Sequence, residues 1–146
     1  AYVEIEATYM VLAGSSFRTV SDVDQPGVRI AVSARSAYDL YLTRTLKHAS
    51  LVRANGLKAA FELFEAEKMD AIAGLRPGLL KDAENSKEYK ILDGRFTAVQ
   101  QSVGVVQSKS ASRDLLDKFV RASREGGVIQ QLIEKHGMAG RLLVAG

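Results

Sequence analysis

Val28-Arg29-Ile30-Ala31-Val32-Ser33-Ala34-Arg35-Ser36 carries the transition that decides the fold of this chain. Gln25-Pro26-Gly27 precedes it, and there proline fixes φ while glycine admits positive φ, so a turn feeds the apolar run Val28 to Val32. That run reads as a short buried strand. Ser36 is then a good helix N-cap, and Asp39, three residues later, favours the first helical turn through the macrodipole. Leu42, Leu46 and Ala49 continue at i, i+4 and i+7 as an apolar stripe facing a core.

The same alternation extends in both directions. Upstream, Ile5, Ala7, Tyr9 and Val11 have a period of two and predict a strand from Ile5 to Leu12, ended by Gly14-Ser15-Ser16. Ser21 to Asp24 suits a single helical turn. Downstream, a strand is expected from Ser50 to Ala54. After Asn55-Gly56 comes an amphipathic helix carrying Leu57, Ala60, Phe61 and Phe64. A very short strand follows from Asp70 to Gly74, and Pro77 sits in the first turn of a third helix running to about Asn85. Tyr89 to Leu92 and Val99 to Val106 read as strands, with Val103 and Val105 on one face. Ser112 is placed to cap a helix bearing Leu115, Leu116, Phe119 and Val120. Gly126-Gly127 breaks it, and Val128, Ile129, Leu132 and Ile133 form a last helix stopped by Gly137.

Strands alternating with helices of this length imply β-α-β crossovers. The expected class is therefore α/β, with a mostly parallel sheet and helices on both faces. Residues 1–106 are expected to form hinge strands and a ligand-binding lobe, and residues 107–146 a C-terminal helical segment packing on the lobe or on a partner. In such sheets ligands gather beyond the carboxyl ends of the strands, where helix N-termini present free N–H groups. Two loops meet that description, Ser33 to Ser36 and Gly74 to Pro77.

Composition narrows the chemistry. The chain has 146 residues, a formal charge of +3 and no cysteine, which excludes disulfides and thiolate sites. Its basic residues are interspersed with acidic ones, as where Arg113, Lys118, Arg121 and Arg124 sit beside Asp114, Asp117 and Glu125. That is a solvated helix surface rather than a nucleic-acid face, and no nucleic-acid partner is expected. No apolar run approaches the roughly 20 residues a membrane span needs, and no signal peptide is visible in the chain.

No G-x-S-x-G elbow is present, and the two histidines, His48 and His136, fall near predicted helix ends, where the macrodipole alone favours them. Glu4 and Glu6 share a strand face, either as a wet edge or as paired carboxylates. No catalytic residue, metal site or cofactor is expected. The candidate binding site comprises Ser33, Arg35, Ser36 and Tyr38, with Arg76 on the neighbouring loop. Both arginines complement an anion if they face the site and are plain surface residues if they do not. Tyr38 either stacks on a ligand or packs in the core, whereas Tyr41 suits core packing.

At Ser21-Asp22-Val23-Asp24-Gln25-Pro26-Gly27-Val28-Arg29-Ile30-Ala31-Val32 the chain resembles the family 3 extracellular solute-binding proteins of ABC transporters, at the opening of their second lobe. Met69-Asp70-Ala71-Ile72-Ala73 is similar to the segment that follows in that lobe. Arg95 to Val106 resembles the strand returning to the first lobe, and Leu115 to Gly137 the closing helix pair. The resemblance implies a periplasmic-binding-protein-like lobe, in a periplasmic or extracellular receptor that closes around a small solute and delivers it to a membrane permease. It places Ser36 where the family commonly carries a hydroxyl that binds a ligand carboxylate.

Three departures stand out. Arg35 replaces a usual glycine, Leu75 stands about where amino-acid binders carry an aspartate, and the first half of the first lobe is missing. The last departure leaves apolar end segments without cover, so a homodimer through those segments is expected. Other readings of the same fold are an effector-sensing regulatory module, a dehydratase-like enzyme, for which the loops supply no acid or base, and a degenerate fragment without ligand.

Overall fold

The computed structural model describes residues 1–84, 86–107 and 110–146. Among them are strands β1 (Val3–Leu12), β2 (Arg29–Ser33), β3 (Ser50–Ala54), β4 (Ala71–Leu75), β5 (Tyr89–Ile91), β6 (Thr97–Gln101) and β7 (Leu143–Val144). The helices are α1 (Ala37–Thr45), α2 (Leu57–Ala66), α3 (Arg76–Ala83), α4 (Ser110–Glu125) and α5 (Val128–Lys135), with a 3-10 turn at Val20–Asp22. The chain divides into two compact units, a sheet unit of Glu6–Ala98 and a terminal unit of Ala1–Ile5 with Val99–Gly146. β1 and β6 each run from one unit into the other.

In the sheet unit the strand order is β3-β2-β4-β1-β5. β2 pairs in parallel with β3 and with β4, as crossover helices require. β1 lies antiparallel to β4 and to β5, so the α/β sheet is mixed, its parallel part confined to three neighbouring strands. Both faces are covered. Ala7, Tyr9, Val11, Ile30, Val32, Ala71 and Ala73 point to the side packed by Tyr38 and Leu42 of α1. Met10, Ala31 and Ile72 point to the other side, against Ala60 and Phe64 of α2 and Leu79 of α3. Strands buried on both faces lose the apolar–polar alternation of a wet sheet. The period of two that announces β1 is therefore only half of its burial, because Thr8 and Met10 between the alternating residues are buried as well.

Local chemistry fixes the connections. Val28 N–H donates to Gln25 C=O at 3.2 Å across the Pro26-Gly27 turn, with Gly27 at φ 84°. Gly74 lets α3 approach β4, since a Cβ there would stand 3.0 Å from the Leu79 side chain. The stripe Leu42, Leu46, Ala49 is shorter as a helix than expected: α1 ends at Thr45, because the Asp24 carboxylate accepts the N–H groups of Lys47, His48 and Ala49 and turns the chain into β3. Leu46 and Ala49 still pack on the core from that loop.

In the terminal unit β7, which sequence patterning missed, pairs antiparallel with Val3 and Glu4 of β1. The expected strand from Val99 to Val106 begins earlier and ends at Gln101. Tyr2 N–H donates to Gln101 C=O at 2.9 Å, and β1 offers no rungs beyond it, so Val103 and Val106 are left exposed instead of paired. Ser112 is not the cap of α4, which starts at Ser110. Gly126-Gly127 separates α4 from α5, and Gly137 follows α5 in the left-handed region, as the sequence suggested. Asn85, the expected end of α3, lies outside the described residues.

Candidate functional site

Ser33 closes β2, and the chain turns through Ala34 and Arg35 into α1. Ala34 N–H donates to Ala54 C=O at 2.9 Å, and Ser36 N–H donates to Ser33 C=O at 3.3 Å. Arg35 sits at φ 61°, in the left-handed region that favours glycine. Ser36 is the N-cap: its Oγ accepts the Asp39 N–H at 3.1 Å. That bond uses an oxygen lone pair and leaves the hydroxyl proton to donate. The N–H groups of Ala37 and Tyr38, in the first turn, have no carbonyl of their own helix to bond. Serine hydroxyl and helix N-terminus together form a donor set suited to a small anion or carboxylate.

Asp39 organises this turn, and sequence reading credited it only with an interaction with the dipole. It is 3% exposed and accepts Arg35 N–H at 2.8 Å. Arg53 of β3 donates through Nε to both carboxylate oxygens, at 3.0 and 3.2 Å, and through Nη2 to the Thr43 hydroxyl at 2.8 Å. Burial alone would raise the Asp39 pKa. The hydrogen bonds from Arg53 and from Arg35 N–H, the Arg53 charge and the Thr43 hydroxyl outweigh it and hold the carboxyl below its ordinary range. Arg53 is an exposed-face residue of a strand with no motif, so no local signal marks it as the partner of Asp39.

Tyr38 is 7% exposed and lies in the core cluster with Val32 and Leu42, so its ring packs rather than faces solvent. Arg35 is exposed, and Ser33 and Ser36 are half-buried. Arg76, the first residue of α3, leaves β4 beside the Ser33 end of β2, because Val32 and Ala73 are register partners. The carboxyl ends of two parallel neighbours thus bring the two predicted loops to one edge of the sheet. The Arg76 guanidinium is turned onto protein groups: Nε donates to Glu6 at 2.7 Å and Nη2 to Gly94 C=O at 2.7 Å. Glu6 is therefore an ion-pair partner and not a free carboxylate, with Arg95 a second, looser neighbour at 3.7 Å. Glu4 accepts from Gln100 at 3.3 Å. His136 caps the C-terminus of α5, and His48 lies beyond α1 with its N–H on Asp24.

Depressions of about 380–390 Å³ lie elsewhere, one in the sheet unit beside Tyr9 and Phe96 and one in the terminal unit beside Val103 and Leu116. Neither is lined by Ser36 or Arg76.

No protein-family model matches the chain, and no curated protein sequence does. Solved structures do match its fold. A putative binding component of an ABC transporter from Wolinella succinogenes, complexed with lysine, is 15% identical with a TM-score of 0.73, over 90% of this chain and 58% of that one. A mutant of ArgBP from T. maritima is 19% identical with a TM-score of 0.69, over 92% of this chain and 58% of that one. The GluR0 ligand-binding core from Nostoc punctiforme, in complex with L-glutamate, is 24% identical with a TM-score of 0.65, over 91% and 61%. The chain has the α/β fold of these binding proteins and spans about three-fifths of their length. Among the described residues no helix is long and apolar enough to cross a membrane.

Proposed function

We propose that the chain is the second lobe, with its C-terminal segment, of a periplasmic or extracellular solute-binding protein serving an ABC-type permease. It binds a small anionic solute and carries out no catalysis. The observation that supports this most is the donor set at the start of α1, where the Ser36 hydroxyl keeps its proton to donate and the first-turn N–H groups lack helix acceptors. Ser33 and Arg35 border that set, and Tyr38 contributes its backbone N–H while its ring anchors the helix. Arg76 lends positive charge at the neighbouring loop, moderated by Glu6.

A thermal-shift screen with amino acids and small organic anions tests the reading, followed by titration of the best ligand. Ser36→Ala is expected to weaken binding at least several-fold; an unchanged affinity removes the site. Homodimerisation through the end segments belongs to the same proposal. Leu115 and Phe119, one helical turn apart on α4, are 70% and 65% exposed, a pair that a second copy would cover. Sedimentation at micromolar concentration is expected to give a dimer, and a compact monomer would count against it.

A further inference from the structure

Where β1 ends and β5 begins, beside the C-terminus of α2, the sheet unit has a depression of about 380 Å³. Leu12, Phe64, Glu65, Lys68, Met69 and Tyr89 line it. Met69 leads into β4, so the depression lies at the opposite end of that strand from Arg76 and the helix-start site.

Its walls are mostly apolar. Phe64 and Met69 belong to the buried core cluster, and Leu12, the last residue of β1, is 48% exposed beside them. Leu12 and Tyr89 are register partners in an antiparallel pair, so their side chains lie on one side of the sheet. The Tyr89 ring stands 5.9 Å from that of Phe64 and 5.7 Å from that of Phe61. The volume falls within the roughly 300–1,000 Å³ typical of small-molecule sites.

Glu65 and Lys68 bring opposite charges to these walls, and among the described residues neither has an ion-pair partner. Residues three apart on a helix ordinarily meet. Here α2 ends at Ala66 and the chain turns through Lys68 at φ 50°, with Met69 N–H donating to Phe64 C=O at 3.0 Å. Lys68 thus occupies the left-handed position that glycine commonly fills after a helix, off the helical path that carries Glu65. Tyr89 fixes the other charge, since its hydroxyl donates to Glu65 Oε1 and leaves Oε2 to accept. That hydrogen bond first, and burial second, push the Tyr89 pKa up to about 12, so the phenol remains a donor at neutral pH. Glu67, the other acid of this turn, pairs with Arg29 at 3.8 Å. An unpaired carboxylate and an unpaired ammonium beside one apolar depression complement a molecule that carries both charges on an apolar body. A singly charged molecule leaves one of them uncompensated.

We infer that this depression is a second binding site, separate from the helix-start site, for a small zwitterion with an aromatic or branched apolar body. The ligand's ammonium pairs with Glu65 and its carboxylate with Lys68, while the body lies against Leu12, Phe64, Met69 and the Tyr89 ring.

L-Phenylalanine is the probe, followed by amide chemical shifts at low ionic strength. Phenethylamine and 3-phenylpropionate, which each lack one charge, and glycine, which lacks the body, are the matched controls. The expected result is saturable shifts around Leu12, Lys68, Met69 and Tyr89 at millimolar phenylalanine, with none from glycine. Each singly charged control is expected to bind about threefold to fivefold more weakly, the scale of one exposed charge pair. Glu65→Gln keeps an acceptor for Tyr89, and with an unchanged circular dichroism spectrum it is expected to weaken phenylalanine by that same factor without weakening 3-phenylpropionate. Lys68→Gln is expected to do the same relative to phenethylamine. Ser36→Ala is expected to leave these shifts unchanged while removing any around Ala37 and Tyr38, which separates this site from the one proposed above. No saturable shift around Tyr89, saturable binding of glycine there, a singly charged control that binds as tightly as phenylalanine, or an unaltered affinity in Glu65→Gln would each overturn the inference.

Discussion

The sheet unit and the terminal unit are built from similar apolar content but spend it differently. In Glu6–Ala98 the inner side chains of the central strands meet covered faces: Ile30 and Val32 lie under α1, and Ala31 and Ile72 lie under α2 and α3, all fully buried. In the unit made by Ala1–Ile5 and Val99–Gly146, α4 turns Ser123 inward and leaves Leu115 and Phe119 to solvent, with Val103 and Val106 also exposed. The sheet unit therefore has the properties of a domain that folds on its own core. The terminal unit has an amphipathic helix whose apolar stripe is wider than the surface beneath it. The chain spans 58% of the length of two of the similar solved structures.

The sharpest test of the contrast is truncation of a large side chain in each unit. Phe64 is 2% exposed and packs against Phe61 and Tyr89, with ring centroids 6.3 and 5.9 Å away. Phe64→Ala is expected to cost about 3–5 kcal/mol, read as a lowered midpoint in urea. A loss under about 1 kcal/mol would mean that the sheet unit is not held by this core.

Next in size is the Asp39–Arg53 pair. Arg53 is 44% exposed, so water screens its side, and Asp39→Asn is expected to cost about 1–3 kcal/mol rather than the larger loss of a fully buried pair. The sign with pH follows from the lowered Asp39 pKa. Its stabilisation is fully present above the unfolded value near ~3.9 and is lost as pH falls through the lower folded value. The difference between wild type and Asp39→Asn should therefore be flat at neutral pH and shrink below about pH 4. A difference that grew on acidification would show that the carboxylate is not held ionised by these partners.

Smaller still is the contact of α3 with β4. A Cβ at Gly74 would stand 3.0 and 3.1 Å from the Leu79 side chain, so Gly74→Ala forces the leucine or the helix to give way. The expected cost is about 1–2 kcal/mol, from the lower part of the overpacking range because Leu79 has rotamers to use. Thermal unfolding of the variant would sharpen the picture, since a larger loss would mean that α3 cannot shift.

These effects also explain which parts were legible. The Ser36 cap, the Pro26-Gly27 turn and the Gly126-Gly127 break are local: the residues that encode each one are the residues that form it. The strand from Val99 to Val106 failed because strand existence depends on a partner, and pairing beside β1 runs out at Gln101 whatever the valine pattern continues to suggest. β7, only Leu143–Val144, has too few residues to show a period. At the candidate site Ser36 was readable from its cap position. The partners of Asp39 and of Arg76 were not: Arg53 lies fourteen residues from Asp39, and Glu6 lies seventy residues from Arg76. Such pairings are set by strand order, which no window of sequence contains.

The smallest expected effect is the one that most directly opposes the two units. Phe119 is as large as Phe64 but 65% exposed, so truncating it removes little apolar surface from contact. Phe119→Ala is expected to change the stability of the monomer by less than about 0.5 kcal/mol, against several for Phe64→Ala. Run at increasing protein concentration, the same pair of variants separates intrinsic packing from association. If a second copy covers α4, the cost of Phe119→Ala should rise with concentration, because binding to the folded state adds to stability by mass action. A cost above about 2 kcal/mol that did not vary with concentration would instead mean that Phe119 is buried within its own chain, and the distinction between the two units would fall.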